Sequence, residues 1–466
     1  MLRPMGLRPL KLNLWSLGAW PSWPLSARSL GRQTRMMIAG GFAACLSIGL
    51  WIVWVRRHQL QLWYMIDLHV FDWGGQMVRH NQAALYDGRF DNWLPFLYPP
   101  FAALAFGVLD LFSFEALQKL EAFTVFGSVF AVIWLTLGMA ADRRREPMAW
   151  RTRLAAALLL GAGAMWLEPA QQTLSFGQIS ALLMLFVVAD LALGDKHPYK
   201  GVLIGIAAGV KLTPGLFIVY LFITKRFRAA AAAVSSFLVT MVIGFVFLPD
   251  QAQKFWSPDG LMSLSNRVGL AYVQNQSLSG YLARISSTAD GAHGVWLIAA
   301  FVVAIAGLTL AVELHHNCGE LGGMLATAVI ALLISPISWT HYWVWVIPGL
   351  VWGAHEVWYG RRWWGVAPLL TIVLLFFAYP MRIGLKGRWD EHLELLPSGL
   401  VWTVPRTADQ EKAWDLPQQV MGNLYVIVGV AALIVMAVWL AHARWRDRLA
   451  LRRLSGVTAS QQAMSW

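Results

Sequence analysis

The chain has 466 residues, of which 58% are hydrophobic and only 13% charged, and its formal net charge is +12. Apolar runs close to the roughly 20 residues that cross a bilayer recur along its whole length, which argues against a soluble protein and favours an all-α polytopic membrane protein. Lys and Arg lie in short clusters between these runs, as in cytoplasmic loops, so the basic charge does not indicate a nucleic-acid partner.

The chain begins with a basic segment. Residues 1–35 contain six Lys and Arg residues and no acidic residue, which predicts a cytoplasmic tail. The apolar run 36–55 is too long for the core of a signal peptide and is predicted to be an uncleaved anchor. At the other end, residues 444–466 are also basic and predict a second cytoplasmic tail, so that 36–443 forms the transmembrane domain.

Apolar windows predict between ten and thirteen crossings in this domain. The windows are 36–55, 98–113, 117–140, 154–168, 178–194, 201–224 (broken), 228–248, 294–315, 321–338, 343–355, 363–380 and 421–443. The positive-inside rule places the basic clusters in the cytoplasm and puts residues 249–293, the Trp339–His341 turn and 381–420 outside. Two spans between 98 and 140 would leave Arg143 outside, so either one of them is re-entrant or the charge rule fails there.

Proline interrupts three of the apolar runs. The breaks are Tyr98-Pro99-Pro100, Lys211-Leu212-Thr213-Pro214 and Ser335-Pro336. Backbone groups freed inside a membrane need a protein-lined or wet cavity, so these breaks predict a site at one membrane face. No internal repeat of the kind found in many transporters is evident, which disfavours a carrier.

Asp67 is the candidate catalytic residue. It follows the first apolar run by about a dozen residues and has aromatic neighbours, Trp63 and Tyr64 among them. A carboxylate at the membrane boundary, shielded from water, can act as a general base on a sugar hydroxyl. The same position would also suit an interfacial carboxylate paired with Arg56 or Arg57. Asp72 is a weaker second candidate and a possible substrate contact.

Two basic side chains could bind an anion. Lys211 lies inside an apolar run, where a cation is costly unless it meets an anion, and the phosphate of a lipid is a natural partner. A lysine snorkelling from a short helix has the same pattern. His341 follows the Ser335-Pro336 break among several Trp residues, where a neutral imidazole could hold a hydroxyl or phosphate oxygen. An interfacial aromatic belt explains the Trp residues but not the break.

Further polar residues are predicted on the same side as His341. Candidate substrate contacts are Tyr98, Gln178, Asn275, Gln276 and Trp339, and candidate phosphate contacts are Arg267 and Arg284, although arginines in loops are usually only solvated. The chain has no P-loop, no GxGxxG after a strand, no HExxH and no Asp-x-Asp pair, so a nucleotide-sugar donor held by a metal has no support. We therefore expect neither a metal nor a cofactor, and a donor that is already activated in the membrane.

The ordered motifs resemble the polyprenyl-phosphate-mannose-dependent α-mannosyltransferases of actinobacteria, a family of the GT-C superfamily. The resemblance covers residues 60–350. The motifs are Asp67-Leu68-His69-Val70-Phe71, Leu85-Tyr86-Asp87, Phe96-Leu97-Tyr98-Pro99-Pro100, Gly177-Gln178, Lys211-Leu212-Thr213-Pro214, Asn275-Gln276-Ser277 and Ser335-Pro336-Ile337-Ser338-Trp339-Thr340-His341. Each is weak alone, and their shared order makes the match specific.

The resemblance implies a multi-pass protein of a bacterial plasma membrane whose active site faces the periplasm. The resemblance also implies that 56–98 is the first extracytoplasmic loop, in which Asp67 matches the catalytic position and would deprotonate an acceptor hydroxyl for an inverting displacement. Lys211 and His341 would stabilise the polyprenyl phosphate leaving group, and the acceptor would be a glycolipid or glycan such as a phosphatidylinositol mannoside or a lipoglycan. Phe71 and Tyr342 stand where the family pattern often has Tyr and a second His, which leaves the sugar and the acceptor open.

Two other functions compete with mannosyl transfer. The same family contains arabinofuranosyltransferases that use polyprenyl-phosphate-arabinose, and nothing in the chain separates the two sugars. A lipid or solute carrier would use Asp67, Lys211 and His341 as a substrate path without forming a product. The outer segment 381–420, rich in acidic residues, is expected to be a solvated loop.

Overall fold

The computed structural model describes residues 27–57, 63–260, 269–286, 289–384, 393–406 and 410–463. They form helices, several 3-10 turns and one antiparallel β-hairpin. The helices are α1 Ala27–Arg57, α2 Ile66–His80, α3 Ala84–Asp87, α4 Pro100–Phe106, α5 Phe114–Arg144, α6 Trp150–Ala164, α7 Glu168–Phe176, α8 Ser180–Ala192, α9 Val202–Val210, α10 Leu216–Ile223, α11 Phe227–Phe247, α12 Pro249–Trp256, α13 Leu278–Ile285, α14 Ala289–Cys318, α15 Glu320–Ile334, α16 Val346–Gly360, α17 Val366–Phe376, α18 Leu416–Gly422 and α19 Leu424–Ala463.

The helical membrane class predicted from the sequence is confirmed. Within the described ranges, 5 helices are long and apolar enough to cross a bilayer, and α7 with α8 makes a sixth if that bent pair counts as one span. The long segments are Gln33–Arg57, Phe114–Arg144, Phe227–Phe247, Ala292–Cys318 and Leu424–His442. The number of full-length spans is lower than the sequence predicted, because several apolar runs fold into short or bent helices. Most of the predicted cytoplasmic tail, residues 1–26, lies outside the described residues.

The run 98–113 does not form a membrane crossing. It contains α4, which has 7 residues, followed by a 3-10 turn at Leu109–Leu111. An α-helix of that length rises about 10 Å, a third of the hydrocarbon thickness. The re-entrant alternative therefore accounts for the topology, and α5 directly follows α1 as a spanning helix.

The charge rule then holds at Arg143. Helices α1 and α6 run side by side in the same direction, since Gly40 lies against the Ala155 carbonyl and the Ser47 hydroxyl donates to the Ala162 carbonyl at 2.9 Å. Both helices therefore start at the same end of the bundle. Because Arg143 precedes α6 by only a few residues, it lies at the end where α1 begins, as the positive-inside rule requires.

The broken span predicted at 201–224 is instead a hairpin that enters and leaves at one end of the bundle. Lys200 precedes α9 and Arg226 follows α10, yet both pair with Glu320 at the start of α15; the Lys200 nitrogen is 4.0 Å from its carboxylate. Helix α9 runs tightly along α11, because a Cβ atom at Gly209 would lie only 2.1 Å from the Thr240 hydroxyl. The sequence prediction of a crossing is wrong here, because each helix is too short to span.

Lys211 lies at the tip of this hairpin. Helix α9 carries the chain about 15 Å into the bundle, roughly half the hydrocarbon thickness, before the break. The helix ends at Val210, and the chain turns back through the 3-10 turn Thr213–Gly215. The hairpin therefore delivers one cation into the interior of an apolar bundle.

The outer segment is a packed structure. Strand β1 (Tyr379–Gly384) pairs antiparallel with β2 (Leu393–Ser398), with Tyr379 opposite Ser398. Val401, Val404 and Trp414 are buried. Our expectation of a solvated loop is wrong for these described residues, because apolar side chains spaced between the acidic ones fold back onto the protein.

Replacing Glu320 with Gln should lower the thermal stability of the protein. Glu320 is the shared carboxylate for Lys200 and Arg226 and also accepts a hydrogen bond of 2.9 Å from Tyr220. Removing its charge leaves two largely buried cations with the exposed carboxylate of Asp195 as their remaining ion-pair partner, which costs roughly 1–3 kcal/mol. The midpoint of thermal unfolding in detergent measures the effect.

The matched control is Glu115→Gln. Glu115 also pairs with a lysine, Lys119, but both side chains are exposed, and an exposed pair contributes at most about 1 kcal/mol. Equal melting temperatures for the two variants would show that the ion pairs of Glu320 do not stabilise the hairpin.

Candidate active site

The position of Asp67 is fixed by close packing of α2 on α4. Asp67 lies in the first turn of α2 and is partly buried. A Cβ atom at Gly75 would lie 2.5 Å from the Phe106 carbonyl oxygen, and one at Gly74 would lie 2.5 Å from the Phe96 ring. Gly75 lets α2 approach the backbone of α4, and Gly74 makes room for the Phe96 ring, so α2 has little freedom to move.

Asp67 is also held by a hydrogen bond from the bend between α7 and α8. These helices meet at an angle of 118°, and Gly177 makes the turn with a φ of 68°. A Cβ atom at Gly177 would lie 2.7 Å from the Leu68 Cβ. The turn thus touches α2 directly and places Gln178, whose side-chain amide donates to Asp67 Oδ2 at 2.7 Å.

The environment of Asp67 favours a base that titrates close to neutrality. Burial raises the pKa of the Asp67 carboxyl to about 6, although the hydrogen bond from Gln178 and the positive charge of Lys211 act in the opposite direction. An aspartate poised in this range accepts a proton more readily than an ordinary surface carboxylate. The structure therefore brings together Asp67, Gln178 and Lys211, as the sequence predicted for residues of one site.

Lys211 presents its ammonium group to this site without a hydrogen-bond acceptor. The nitrogen is buried and lies 3.6 Å from the centre of the Tyr342 ring and 5.3 Å from that of the Tyr98 ring. The faces of aromatic rings attract cations but accept no conventional hydrogen bond. The three donors of the ammonium group remain available for a negatively charged ligand.

His341 lies beside the same tyrosine and is also unpartnered. Its side chain is almost fully buried, and neither ring nitrogen has a hydrogen-bond partner among the described residues. Its ring packs edge-on against Tyr342 at 4.7 Å and against Phe176 at 5.7 Å. Buried polar atoms without partners are uncommon in folded proteins and often mark the place of a ligand.

A cleft adjoins Lys211 and Tyr342. Its walls come from α8, from the α9–α10 hairpin, from α15 and from the 3-10 turn Thr340–Trp345. Most of the lining is apolar, as shown by Leu183, Val187, Phe217, Ala328, Leu332 and Trp345. A cation at a mainly apolar cleft suits an amphipathic ligand that carries an anionic group on a hydrocarbon chain.

Asn275, Gln276 and Trp339 serve to join two loops. Asn275 forms an isolated β-bridge with Trp339 and accepts a hydrogen bond of 2.9 Å from the backbone of Ser338. The Gln276 amide donates to the carbonyls of Val273 and Gly422 and accepts from the backbone of Tyr425. These contacts fix the backbone that leads to His341. We infer a supporting role for Asn275 and Gln276 in place of the predicted contact with substrate. The contact predicted for Trp339 stays a prediction, because only its backbone takes part in the bridge.

Arg284 is also used internally. All five donors of its guanidinium group bond to protein acceptors: two bonds go to the Asn423 side chain and three to the carbonyls of Ala271, Tyr272 and Asn275. Nothing remains for a phosphate, so the predicted phosphate contact is corrected to a brace that joins α13 to the loop before it and to Asn423 at the end of α18. Arg267, the second predicted arginine, lies outside the described residues.

Asp72 faces another neighbourhood. It accepts a hydrogen bond of 3.0 Å from Gln76, and its closest charged neighbour is Asp110. Five residues separate it from Asp67, which on a helix turns the two carboxylates well away from each other. No three His, Cys, Asp or Glu side chains gather as a metal site requires within the described part of the chain.

Sequence reasoning missed the role of Glu168. This carboxylate is fully buried and accepts hydrogen bonds of 2.8 Å from Trp402 and 2.7 Å from Tyr425. It ties α7 to the outer segment and to α19. The acidic residue at the start of an apolar helix was visible in the sequence, but its partners lie more than 200 positions away and carry no signal at short range.

The Asp67 carboxylate thus lies near a buried cation that has no acceptor among the described residues, and this cation borders a mainly apolar cleft. The comparison with known proteins is specific: residues 96–336 match Glycosyltransferase family 87. The chain belongs to this family and is a membrane glycosyltransferase.

Two relatives carry the same name, "Polyprenol-phosphate-mannose-dependent alpha-(1-2)-phosphatidylinositol pentamannoside mannosyltransferase". The one from Mycobacterium tuberculosis (strain CDC 1551 / Oshkosh) is 33% identical over 413 residues, 83% of this chain and 90% of the relative. The one from Mycolicibacterium smegmatis is 30% identical over 363 residues, 76% of this chain and 83% of the relative.

A third relative, from Mycobacterium tuberculosis strain H37Rv, is a polyprenol-phosphate-mannose-dependent phosphatidylinositol mannoside mannosyltransferase. It is 28% identical over 303 residues, 62% of this chain and 70% of the relative. No solved structure matches the chain.

Substituting Gly177 with Ala should disturb the site. The positive φ at this position is unfavourable for a residue with a Cβ atom, and that atom would collide with Leu68 and Met65. We expect a loss of stability of roughly 1–3 kcal/mol and a fall in transferase activity, because the start of α2 and Gln178 are pushed apart. Thermal unfolding and sugar transfer measured on one preparation provide both quantities.

Gly163→Ala is the control for this substitution. Gly163 lies in α6, and a Cβ atom there meets nothing within 4 Å, so this variant should unfold at or above the wild-type temperature. If Gly177→Ala behaved like Gly163→Ala, the tight turn would not be needed to place the site.

Proposed function

We propose that this membrane glycosyltransferase transfers mannose from a polyprenyl-phosphate donor to a hydroxyl group of a lipid-linked glycan at the periplasmic face of a bacterial plasma membrane. The observation that carries the proposal is the buried Lys211 ammonium, which has no acceptor and lies between the base Asp67 and an apolar cleft. The names of the mycobacterial relatives support the donor and the sugar.

The donor fits the cleft by its chemistry. Its phosphate would bind the donors of Lys211, and its isoprenoid chain would lie against Phe217, Trp345 and their neighbours. An ammonium group gains most from a phosphate when little water is present. His341, with both ring nitrogens unpartnered, would hold a further phosphate or hydroxyl oxygen.

Asp67 would act as general base. Its carboxylate accepts the proton of the acceptor hydroxyl while the hydroxyl oxygen forms a bond to the anomeric carbon of the donor sugar. The bond between that carbon and the phosphate oxygen breaks, and the polyprenyl phosphate leaves with the electron pair. Lys211 stabilises the negative charge that develops on the leaving oxygen. Attack opposite to the leaving group inverts the anomeric configuration, so a β-linked donor gives an α-linked product.

The distribution of charge supports the periplasmic orientation. Arg143, Arg144 and the base of the α9–α10 hairpin lie at the basic ends of the bundle, which the positive-inside rule places in the cytoplasm. Asp67 follows the opposite end of α1. A GT-C arrangement, with the base in the first outer loop, agrees with this placement.

A phosphatidylinositol mannoside is the acceptor that the relatives' names favour, and a lipoglycan would offer the same hydroxyl groups. Arabinose remains the alternative sugar, because a pentose and a hexose carry the same reacting groups. A carrier would bind the same lipid in the same cleft but would release it unchanged.

The experiment compares wild type with Asp67→Asn. Purified protein is incubated with synthetic polyprenyl-phosphate-mannose and a mycobacterial phosphatidylinositol mannoside extract, and products are measured by mass. We expect a product one hexose heavier from wild type and a loss of about 10²–10⁴-fold in the variant, which is the usual contribution of a general base.

Asp110→Asn provides the control, because Asp110 lies in the same outer loop but pairs with Arg79 and His80 at the surface. It should keep its activity. Full activity of Asp67→Asn would refute the assigned base. A product one pentose heavier, formed only from the arabinose donor, would change the sugar, and the absence of product with both donors would favour the carrier.

A further inference from the structure

Gln178 occupies a position between Asp67 and Tyr98. Its Nε2 group donates to Asp67 Oδ2 at 2.7 Å, and its Oε1 atom lies 3.4 Å from the Tyr98 hydroxyl, which donates to it. An ionised carboxylate only accepts hydrogen bonds, so the nitrogen end of the amide must face Asp67. The Tyr98 hydroxyl lies 3.4 Å from Oε1, to which it donates, and 3.3 Å from Nε2, from which it accepts, so it contacts both atoms of the amide.

Tyr98 is itself held in place. Its backbone carbonyl accepts a hydrogen bond of 2.8 Å from the Tyr86 hydroxyl, and its ring packs edge-on against Phe71 at 5.1 Å. Gln178 is therefore fixed at one end by a rigid aromatic residue and at the other by the Gly177 turn. A side chain fixed in this way can hold a neighbouring group at a defined angle.

This arrangement distinguishes the two oxygens of Asp67. Oδ2 is engaged by Gln178, whereas Oδ1 accepts no hydrogen bond from any described residue. Gln178 itself is 3% exposed, so its amide offers little surface to a sugar. The groups around the carboxylate are thus Gln178 on one oxygen, the Lys211 cation nearby, and the Tyr98 and Tyr342 rings.

We propose that Gln178 is a positioning residue for the base: it holds Oδ2 of Asp67 so that Oδ1 points to the acceptor hydroxyl, and it does not bind sugar. This inference rests on the proposed transfer reaction. It replaces the substrate contact that the sequence predicted for Gln178. Oδ1 takes the proton, and Gln178 keeps the carboxylate from rotating.

The role has a consequence for pH. The base must be ionised to accept a proton, so wild-type transfer should fall as the pH drops through about 6, the value to which burial raises the pKa of Asp67. The Gln178 hydrogen bond stabilises the ionised form and lowers this pKa. Removing the bond therefore favours the protonated form, and the acid limb of the activity profile must move to higher pH.

The test is Gln178→Leu, which keeps the approximate volume and removes the amide. A hydrogen bond to a charged group should shift the acid limb upward by roughly one to two pH units. Activity lost at low pH should return as the pH rises, while KM for the donor stays unchanged. Isotope-edited infrared titration of Asp67, assigned by its absence in Asp67→Asn, gives the same shift independently of activity.

Two further variants protect the test against a misfolded protein. Tyr98→Phe removes only the hydroxyl that holds the amide and should shift the limb in the same direction by a smaller amount. Gln251→Leu removes another buried glutamine, on α12, and should leave the limb in place. Thermal unfolding of each variant separates a folding defect from a shifted profile.

The outcomes separate this inference from the proposed function. An unchanged acid limb with an increased KM in Gln178→Leu would make Gln178 a sugar ligand and overturn the inference. An unchanged infrared titration would overturn it as well. If wild type formed no product but the infrared titration of Asp67 still shifted in Gln178→Leu, the pairing would stand and the proposed transferase reaction would fail.

Discussion

The structure is organised around one cation inside an apolar bundle. Lys211 carries its charge about 15 Å from the base of its hairpin, and its nitrogen meets only aromatic faces and the field of Asp67. A charge in such a place is tolerated when an anion joins it. The ion pairs of Glu320 hold the hairpin that carries Lys211. The packing of α2 on α4 and the Gly177 turn hold Asp67, so the expected site of the anion lies next to the proposed base.

Charge, cleft and base form one chemical unit. A phosphate on an isoprenoid chain satisfies the cation and the apolar walls together, and bringing it there places the adjoining sugar beside Asp67. In the proposed reaction Lys211 would stabilise the leaving group where it forms, and Asp67, whose carboxyl is affected by the Lys211 charge, would act as the base. Such a site would allow a transferase to act on a membrane-bound donor without the nucleotide-binding motifs that the sequence lacks.

Much of this site could be predicted from sequence, and for definable reasons. Asp67 and Lys211 stand out because lipid makes ionisable residues costly, and the proline breaks stand out because membranes tolerate them only beside a cavity. The helical membrane class and the family follow from long apolar runs and ordered motifs. These signals depend on local sequence alone, so they can be recognised before the fold is known.

Other features depended on contacts that local sequence does not record. The run 201–224 has the composition of a span. That Lys200 and Arg226 lie at the same end of the bundle is shown by their pairing with Glu320, about a hundred positions along the chain. Arg284 has the character of a phosphate ligand until the acceptors around it are known. Gln178 belonged to the predicted site, yet its partner, Asp67, is 111 residues away, and only the fold assigns its amide to the base.

The most direct test of the account is the structure of the protein in a lipid nanodisc with a non-transferable polyprenyl-phosphonate analogue of the donor. The account predicts phosphonate oxygens about 3 Å from the Lys211 nitrogen, the isoprenoid chain between Phe217 and Trp345, and the anomeric carbon facing Asp67. A phosphonate bound elsewhere, with the Lys211 ammonium still against the Tyr342 ring, would contradict it.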